Sequence, residues 1–211
     1  MSFDRKFVCD QQAEQVLTLA KEILGDAYIV VQVISLKLFE NFELTQAKIE
    51  ASLVEISDNK PKKLKIHGEG VGLVDACFDG MLKAYEQNYC SLMSISIVDF
   101  SVNAHLDSSN KRQSDAKVSA LLRVKNSDAH EYAFECTTSS ISHSSVGAVQ
   151  AALAFFINAE SAYIMLHRAL ANAKDRGRHD LIERYCNQMS TIVKATSYEA
   201  LASRLRNNPT R

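Results

Sequence analysis

Ala47-Lys48-Ile49-Glu50-Ala51-Ser52-Leu53 returns further along the chain as Ala116-Lys117-Val118-Ser119-Ala120-Leu121-Leu122. In the first copy Ala47, Ile49, Ala51 and Leu53 alternate with Lys48, Glu50 and Ser52. Successive side chains of an extended strand point to opposite faces, so each stretch reads as a strand with one buried and one wet face. The surroundings correspond as well. A Val/Ile/Leu-rich strand run over 28–40 and a turn at 41–45 precede the first copy. Asp58-Asn59-Lys60-Pro61 follows as a turn, because Asp and Asn tolerate turn geometry and Pro fixes φ. Leu64 and Ile66 begin a third strand that ends in the glycines of 68–72. Val74, Cys77, Phe78, Met81, Leu82 and Tyr85 then recur at spacings of three and four, the pattern of an amphipathic helix. Asp75, Asp79, Lys83 and Glu86 fall on its other face.

The second half repeats the plan. A strand run over 92–105 and a polar turn at 107–114 lead into the second copy. Asn126-Ser127-Asp128 turns the chain, with Ser127-Asp128 matching Ser57-Asp58 after a slip of one residue. Tyr132, Phe134 and Cys136 alternate in a further strand. A Ser/Thr-rich loop enters a helix through Val146, Val149, Leu153, Phe156 and Ile157. The expected fold is therefore α+β, with two β-β-β-α repeats in a pseudo-symmetric sheet-and-helix domain. Each unit exposes a sheet face that the other helps to cover.

Helical segments flank this domain. Asp10 caps a first helix whose face carries Ala13, Val16, Leu17, Ala20 and Leu24, and Gly25 suits its stop. Beyond residue 170, Leu181, Ile182, Tyr185, Met189, Ile192 and Val193 form a stripe. Thr196-Ser197-Tyr198-Glu199 reads as a capping box for a last helix carrying Leu201 and Leu205. Basic residues outnumber acidic ones there, but they are spaced, as on a solvated face. The expected segments are 1–26, 27–170 (repeats 27–89 and 90–170) and 171–211.

Composition narrows the classes. At 46% hydrophobic and 23% charged, the 211 residues form a folded chain and not a disordered one. With 24 Lys+Arg against 25 Asp+Glu, the net charge of -1 gives no drive toward nucleic acid or an anionic membrane. No apolar run approaches the roughly 18–20 residues of a membrane span. Met1-Ser2-Phe3-Asp4-Arg5-Lys6 is no secretory signal, so a cytoplasmic location is expected. A (β/α)₈ barrel typically needs about 250 residues. Cys9, Cys77, Cys90, Cys136 and Cys186 form no C-x-x-C, and the histidines form no H-x-H or H-E-x-x-H. Neither a metal nor a cofactor is expected. His143 sits among serines without a nucleophile elbow, which a turn and helix cap explain.

Two stretches can hold a ligand. His67-Gly68-Glu69-Gly70-Val71-Gly72-Leu73-Val74-Asp75-Ala76 follows a strand and opens a helix. Glycines there let backbone N–H groups approach a ligand, and a helix N-terminus favours a carboxylate or phosphate. A plain tight turn accounts for the same residues. The run is neither a P-loop nor G-x-G-x-x-G. Thr137-Thr138-Ser139-Ser140-Ile141-Ser142-His143-Ser144-Ser145 is its counterpart. Twin junctions facing one pocket would suit a small zwitterion or carboxylate.

With these landmarks in place, the region from about 28 to 164 resembles the C-terminal regulatory domain of the 2-isopropylmalate synthases and citramalate synthases. That domain comprises two β-β-β-α units. Its Gly-x-Gly-Pro-Val-Asp-Ala loop is matched by Gly68, Gly70, Val74, Asp75 and Ala76. Its Asp-Tyr strand is matched by Asp99-Phe100, its Asp-Ala by Asp115-Ala116, its Ser-Ile by Ser140-Ile141, and a late helical Asn by Asn158. The family proline is absent, Val71-Gly72 enlarge the first loop, and Thr137-Thr138 replace a Gly-rich turn. The resemblance implies a non-enzymatic allosteric module of branched-chain amino acid (leucine) biosynthesis. It would bind leucine, isoleucine or a related amino or keto acid at a homodimer interface. Gly68, Gly70, Val74, Asp75, Ala76, Asp99, Ser139, Ser140 and Ile141 would form the site.

The family's catalytic barrel has no counterpart in this sequence, so a separate catalytic synthase subunit is an expected partner. The alternative is a structural or partner-binding module that retains the fold. A small enzyme using Asp75, Asp99 or His143 is set aside. Asp75 suits a first helical turn electrostatically, and no acid, base and nucleophile set is assembled.

Overall fold

The computed structural model describes residues 6–105 and 116–207. The expected turn at 107–114 and the Asp115 landmark lie outside the described residues. In chain order the elements are β1 (Lys6–Cys9), α1 (Gln11–Leu24), β2 (Val30–Asn41), β3 (Gln46–Ser57), β4 (Lys60–Gly70), α2 (Leu73–Tyr85), β5 (Ser96–His105), β6 (Lys117–Lys125), β7 (Glu131–Thr138), α3 (Ile141–Asp175), α4 (His179–Ile192) and α5 (Tyr198–Asn207). The chain is mixed α+β. One antiparallel sheet has the order β2-β3-β4 and the other β1-β7-β6-β5. Three strands lie between α1 and α2, and three between α2 and α3.

The period-two stretches fold as their alternation demands. Ala47, Ile49, Ala51 and Leu53 of β3 are buried, as are Val118, Ala120, Leu122 and Val124 of β6. Asp58 and Asn59 close the β3–β4 hairpin with φ of 50° and 59°. Both central residues at positive φ define the hairpin turn that Asn and Asp tolerate best. At the β6–β7 turn the Asn126 side-chain oxygen accepts from the amides of Asp128 and His130.

Several boundaries differ from the sequence reading. β4 runs through Gly68 to Gly70, leaving Val71 and Gly72 as the connection to α2. The strand expected from residue 92 starts at Ser96, because Cys90–Ser94 forms a 3-10 turn. β1 was not anticipated, since four residues are too few to display a period. It pairs with β7, Phe7 opposite Cys136. Asp10 joins this strand to α1. One carboxylate oxygen accepts from Ala13 N at 2.8 Å as the helix cap, and the other accepts from Ala133 N of β7 at 2.7 Å.

α3 organises the core. Its 35 residues cross position 170 without a break. Tyr132 and Phe134 of β7 pack tilted against Phe155 with ring centroids 4.8 and 5.3 Å away, and Phe155 meets Phe156 edge-on at 5.0 Å. Burying each such side chain stabilises the fold by about 1.5–3 kcal/mol. Residues from both sheets, from α1 and α2, and from the C-terminal part (Ile192, Ala195, Leu201) belong to one apolar cluster. α3 is long and apolar enough to cross a membrane, yet 72% of its most apolar window is buried inside the fold. A core helix meets the same criterion.

Candidate functional site

The first junction is built by close packing. A Cβ on Gly68 would lie 1.9 Å from the Ala76 carbonyl oxygen and 2.6 Å from Gly80 N. One on Gly70 would lie 2.6 Å from Ala76 N. The glycines therefore let α2 sit directly on β4. Their hydrogen faces are filled by the protein's own backbone, at a stretch whose sequence was compatible with a ligand loop or a plain tight turn. Gly72 is different: a Cβ there meets nothing within 4 Å. As the N-cap of α2 it supplies no side-chain hydrogen bond, so the first-turn amides carry no side-chain cap. Asp75 is exposed in that turn, Val74 is half-buried, Ala76 is buried and Val71 is exposed.

The second junction is satisfied internally. The Ser140 hydroxyl accepts from His143 N at 3.4 Å, capping α3, and Ser140 N donates to Thr138 Oγ1 at 3.1 Å. Thr138 Oγ1 lies 2.8 Å from Ser144 Oγ, which donates to the Val118 carbonyl at 2.8 Å. Ser144 is fully buried, while Ser139, Ser140 and Ile141 are exposed. Asp99 takes no part in either junction. It stands opposite Arg123 on the face of the β5–β6 pair away from Phe100 and the buried Leu122.

The register places the first junction relative to α3. On α3, Asn158 binds Ile29 and Gln150 binds Val33 N at 3.1 Å. Eight helical residues rise about 12 Å, and four extended residues span about 13 Å. α3 therefore runs antiparallel to β2 along its edge. Leu38 pairs with Ile49, and Ile49 with Gly68. The Gly68 junction thus lies toward the Asn41 end of β2, the end toward which α3 runs back from Asn158 to Gln150.

At that end, on the sheet face away from α2, Lys37, Phe39, Lys48, Glu50, His67 and Glu69 line a hollow of about 410 Å³. Lys48 pairs with Glu69 at 3.0 Å and Lys37 with Glu50 at 3.6 Å. Charges of both signs stand beside the Phe39 ring, a set that can receive an ammonium and a carboxylate together. The pairs are solvated, so their mutual attraction is weak and a ligand can replace it. Period-two alternation marks these residues as outward-facing, but their assembly across three strands needed the register.

The sequence reading missed a second polar centre. Glu160, fully buried in α3, accepts from Cys90 N at 3.1 Å and Ser91 N at 2.7 Å, holding the 3-10 turn. Burial first, and then the Glu160 carboxylate, push the Cys90 thiol up to about 11. A lone acid inside the apolar run of α3 was the available signal. Among the described residues, no group of three His, Cys, Asp or Glu is placed to hold a metal ion.

No protein-family model matches the chain. A search of curated proteins gives no significant match.

Proposed function

We propose that the chain is a regulatory module of the kind that closes the 2-isopropylmalate and citramalate synthases, built of two copies of one β-β-β-α unit. In this reading it is a homodimer that binds a branched-chain amino acid or similar small carboxylate and serves branched-chain amino acid biosynthesis beside a separate synthase subunit. The observation that carries it is the element order β2-β3-β4-α2 followed by β5-β6-β7-α3, with the matched residues at the two strand-to-helix junctions. The hollow beside Gly68 supports a zwitterionic ligand, and the uncapped amides of α2 support a carboxylate.

The test is a thermal-shift series with leucine, isoleucine, valine and their keto acids. A ligand at about 100 times its dissociation constant stabilises the fold by about 2.7 kcal/mol, a rise of about 5–10 °C for a chain of this size. Lys48→Ala removes that rise if the hollow holds the ligand. A flat response to every amino and keto acid rejects the sensing role.

One observation favours a second reading, a structural or partner-binding module that keeps the fold without the effector. Gly68 and Gly70 are occupied by α2, and the hydroxyls of Thr138, Ser140 and Ser144 have local partners. Co-purification with a synthase subunit, combined with a flat thermal response, selects this reading.

A further inference from the structure

Arg204 of α5 reaches into the fold. Its Nη1 donates to Glu160 Oε1 at 3.0 Å and also to the Asn88 carbonyl oxygen. The carboxylate is fully buried, while the Arg204 side chain is 40% exposed. The seat is therefore made by the body of the protein, and the guanidinium enters from the solvent side. Glu160 does not depend on Arg204 for its position, because its two oxygens also accept from the Cys90 and Ser91 amides. Three further contacts dock the same C-terminal segment. Leu201 is fully buried, Ser197 N donates to Ser91 Oγ at 3.3 Å, and Ser197 Oγ lies 3.0 Å from Ser127 Oγ.

We infer that Glu160 and the Asn88 carbonyl form a binding seat for a guanidinium or primary ammonium group, and that Arg204 occupies it in cis, making α5 a displaceable strap. Both acceptors converge on one nitrogen, one anionic and one neutral, as a monocationic donor group requires. A buried carboxylate stripped of its cation is costly, so the seat attracts a replacement when α5 leaves. An external cation of the same chemistry competes with Arg204 and frees α5. This inference does not rest on the proposed amino-acid sensing, because the seat and the hollow at Gly68 share no residue.

The test is amide hydrogen exchange on the full chain. Arg204→Ala speeds exchange across α5 about tenfold or more, through the loss of the hydrogen bonds to Glu160 and Asn88, while α3 near Asn158 keeps its protection. Millimolar N-ethylguanidinium fills the vacated seat and raises the melting temperature of this variant in a saturable way, and the neutral isostere N-ethylurea does not. In the wild-type chain N-ethylguanidinium acts oppositely and speeds α5 exchange by competition, so the question does not depend on how well the variant folds. Unchanged α5 exchange in the variant, no response of either protein to N-ethylguanidinium, or an equal response to N-ethylurea would each overturn the assignment.

Discussion

Asn158 of α3 meets both backbone groups of Ile29: its Oδ1 accepts from Ile29 N and its Nδ2 donates to Ile29 O, each at 2.8 Å. The pair lies 129 residues apart in sequence and is buried. It fastens the start of β2 to the helix that also carries the other sheet. Gln150 repeats the device one step along at Val33. A strand edge that a β-ladder would otherwise satisfy is closed here by amide side chains.

Asn158→Leu keeps the volume and removes both bonds. It leaves a buried N–H and C=O at Ile29 without partners, at a cost of about 2–4 kcal/mol. Urea unfolding should show a lower midpoint with an unchanged slope. A midpoint equal to wild type would mean that water replaces the side chain.

Gly68→Ala and Gly72→Ala should separate sharply. The first drives a Cβ into the Ala76 carbonyl and forces α2 off β4, at a cost of about 3 kcal/mol or more. The second enters open space with Gly72 at φ -161°, an extended conformation that any residue adopts. Gly72→Asp should add only a few tenths of a kcal/mol by capping α2, because glycine is itself a tolerable N-cap. It should also abolish a carboxylate-induced thermal shift if the effector uses those amides. Parallel melting curves with and without leucine read both effects.

The thiols should divide by burial. Desolvation pushes Cys77 up to about 12, and Cys90 stands at about 11, whereas Cys186 is exposed. A chromogenic disulfide at pH 8 should label Cys186 promptly and reach Cys77 and Cys90 only on unfolding. The raised thiols also set an alkaline limit. The unfolded thiol ionises near its ordinary value of 9.0 while folded Cys77 stays protonated. That contribution to stability is complete below pH 9 and is lost as pH rises toward about 12.

Asp180 gives the acidic counterpart. The Arg178 guanidinium, bonded through Nε at 3.0 Å and Nη2 at 2.8 Å, holds its carboxyl down at about 2. A depressed folded value means that the contribution is present above the ordinary carboxylate range and lost as pH falls through about 2. Asp180→Asn should therefore shift acid unfolding only above that pH, with the two curves merging below it. A carboxyl titration by NMR places the midpoint directly.

Legibility followed the range of the interaction. The strand at 46–57, its counterpart at 117–125 and the helix at 73–85 were readable because period and spacing are local consequences of backbone geometry. Asp10 was readable as a cap for the same reason, and the serines around His143 as a turn and helix cap without the capping residue being singled out. Gly68 and Gly70 were found, but as loop residues. The feature that decides their role is the backbone of α2, at Ala76 and Gly80 for Gly68 and at Asp75 and Ala76 for Gly70, and nothing local reports it. β1 was invisible because its partner lies more than a hundred residues downstream.

The amino-acid order by itself determined the mixed α+β class, the hairpin turns and the buried side of each strand, because these depend on neighbours within a few residues. Tertiary packing alone decided that α3 lies along β2. It also decided that a solitary acid at position 160 grips an arginine from the last helix. Those outcomes depend on which distant surfaces exclude water together, and that free energy has no signature in any short window of the chain.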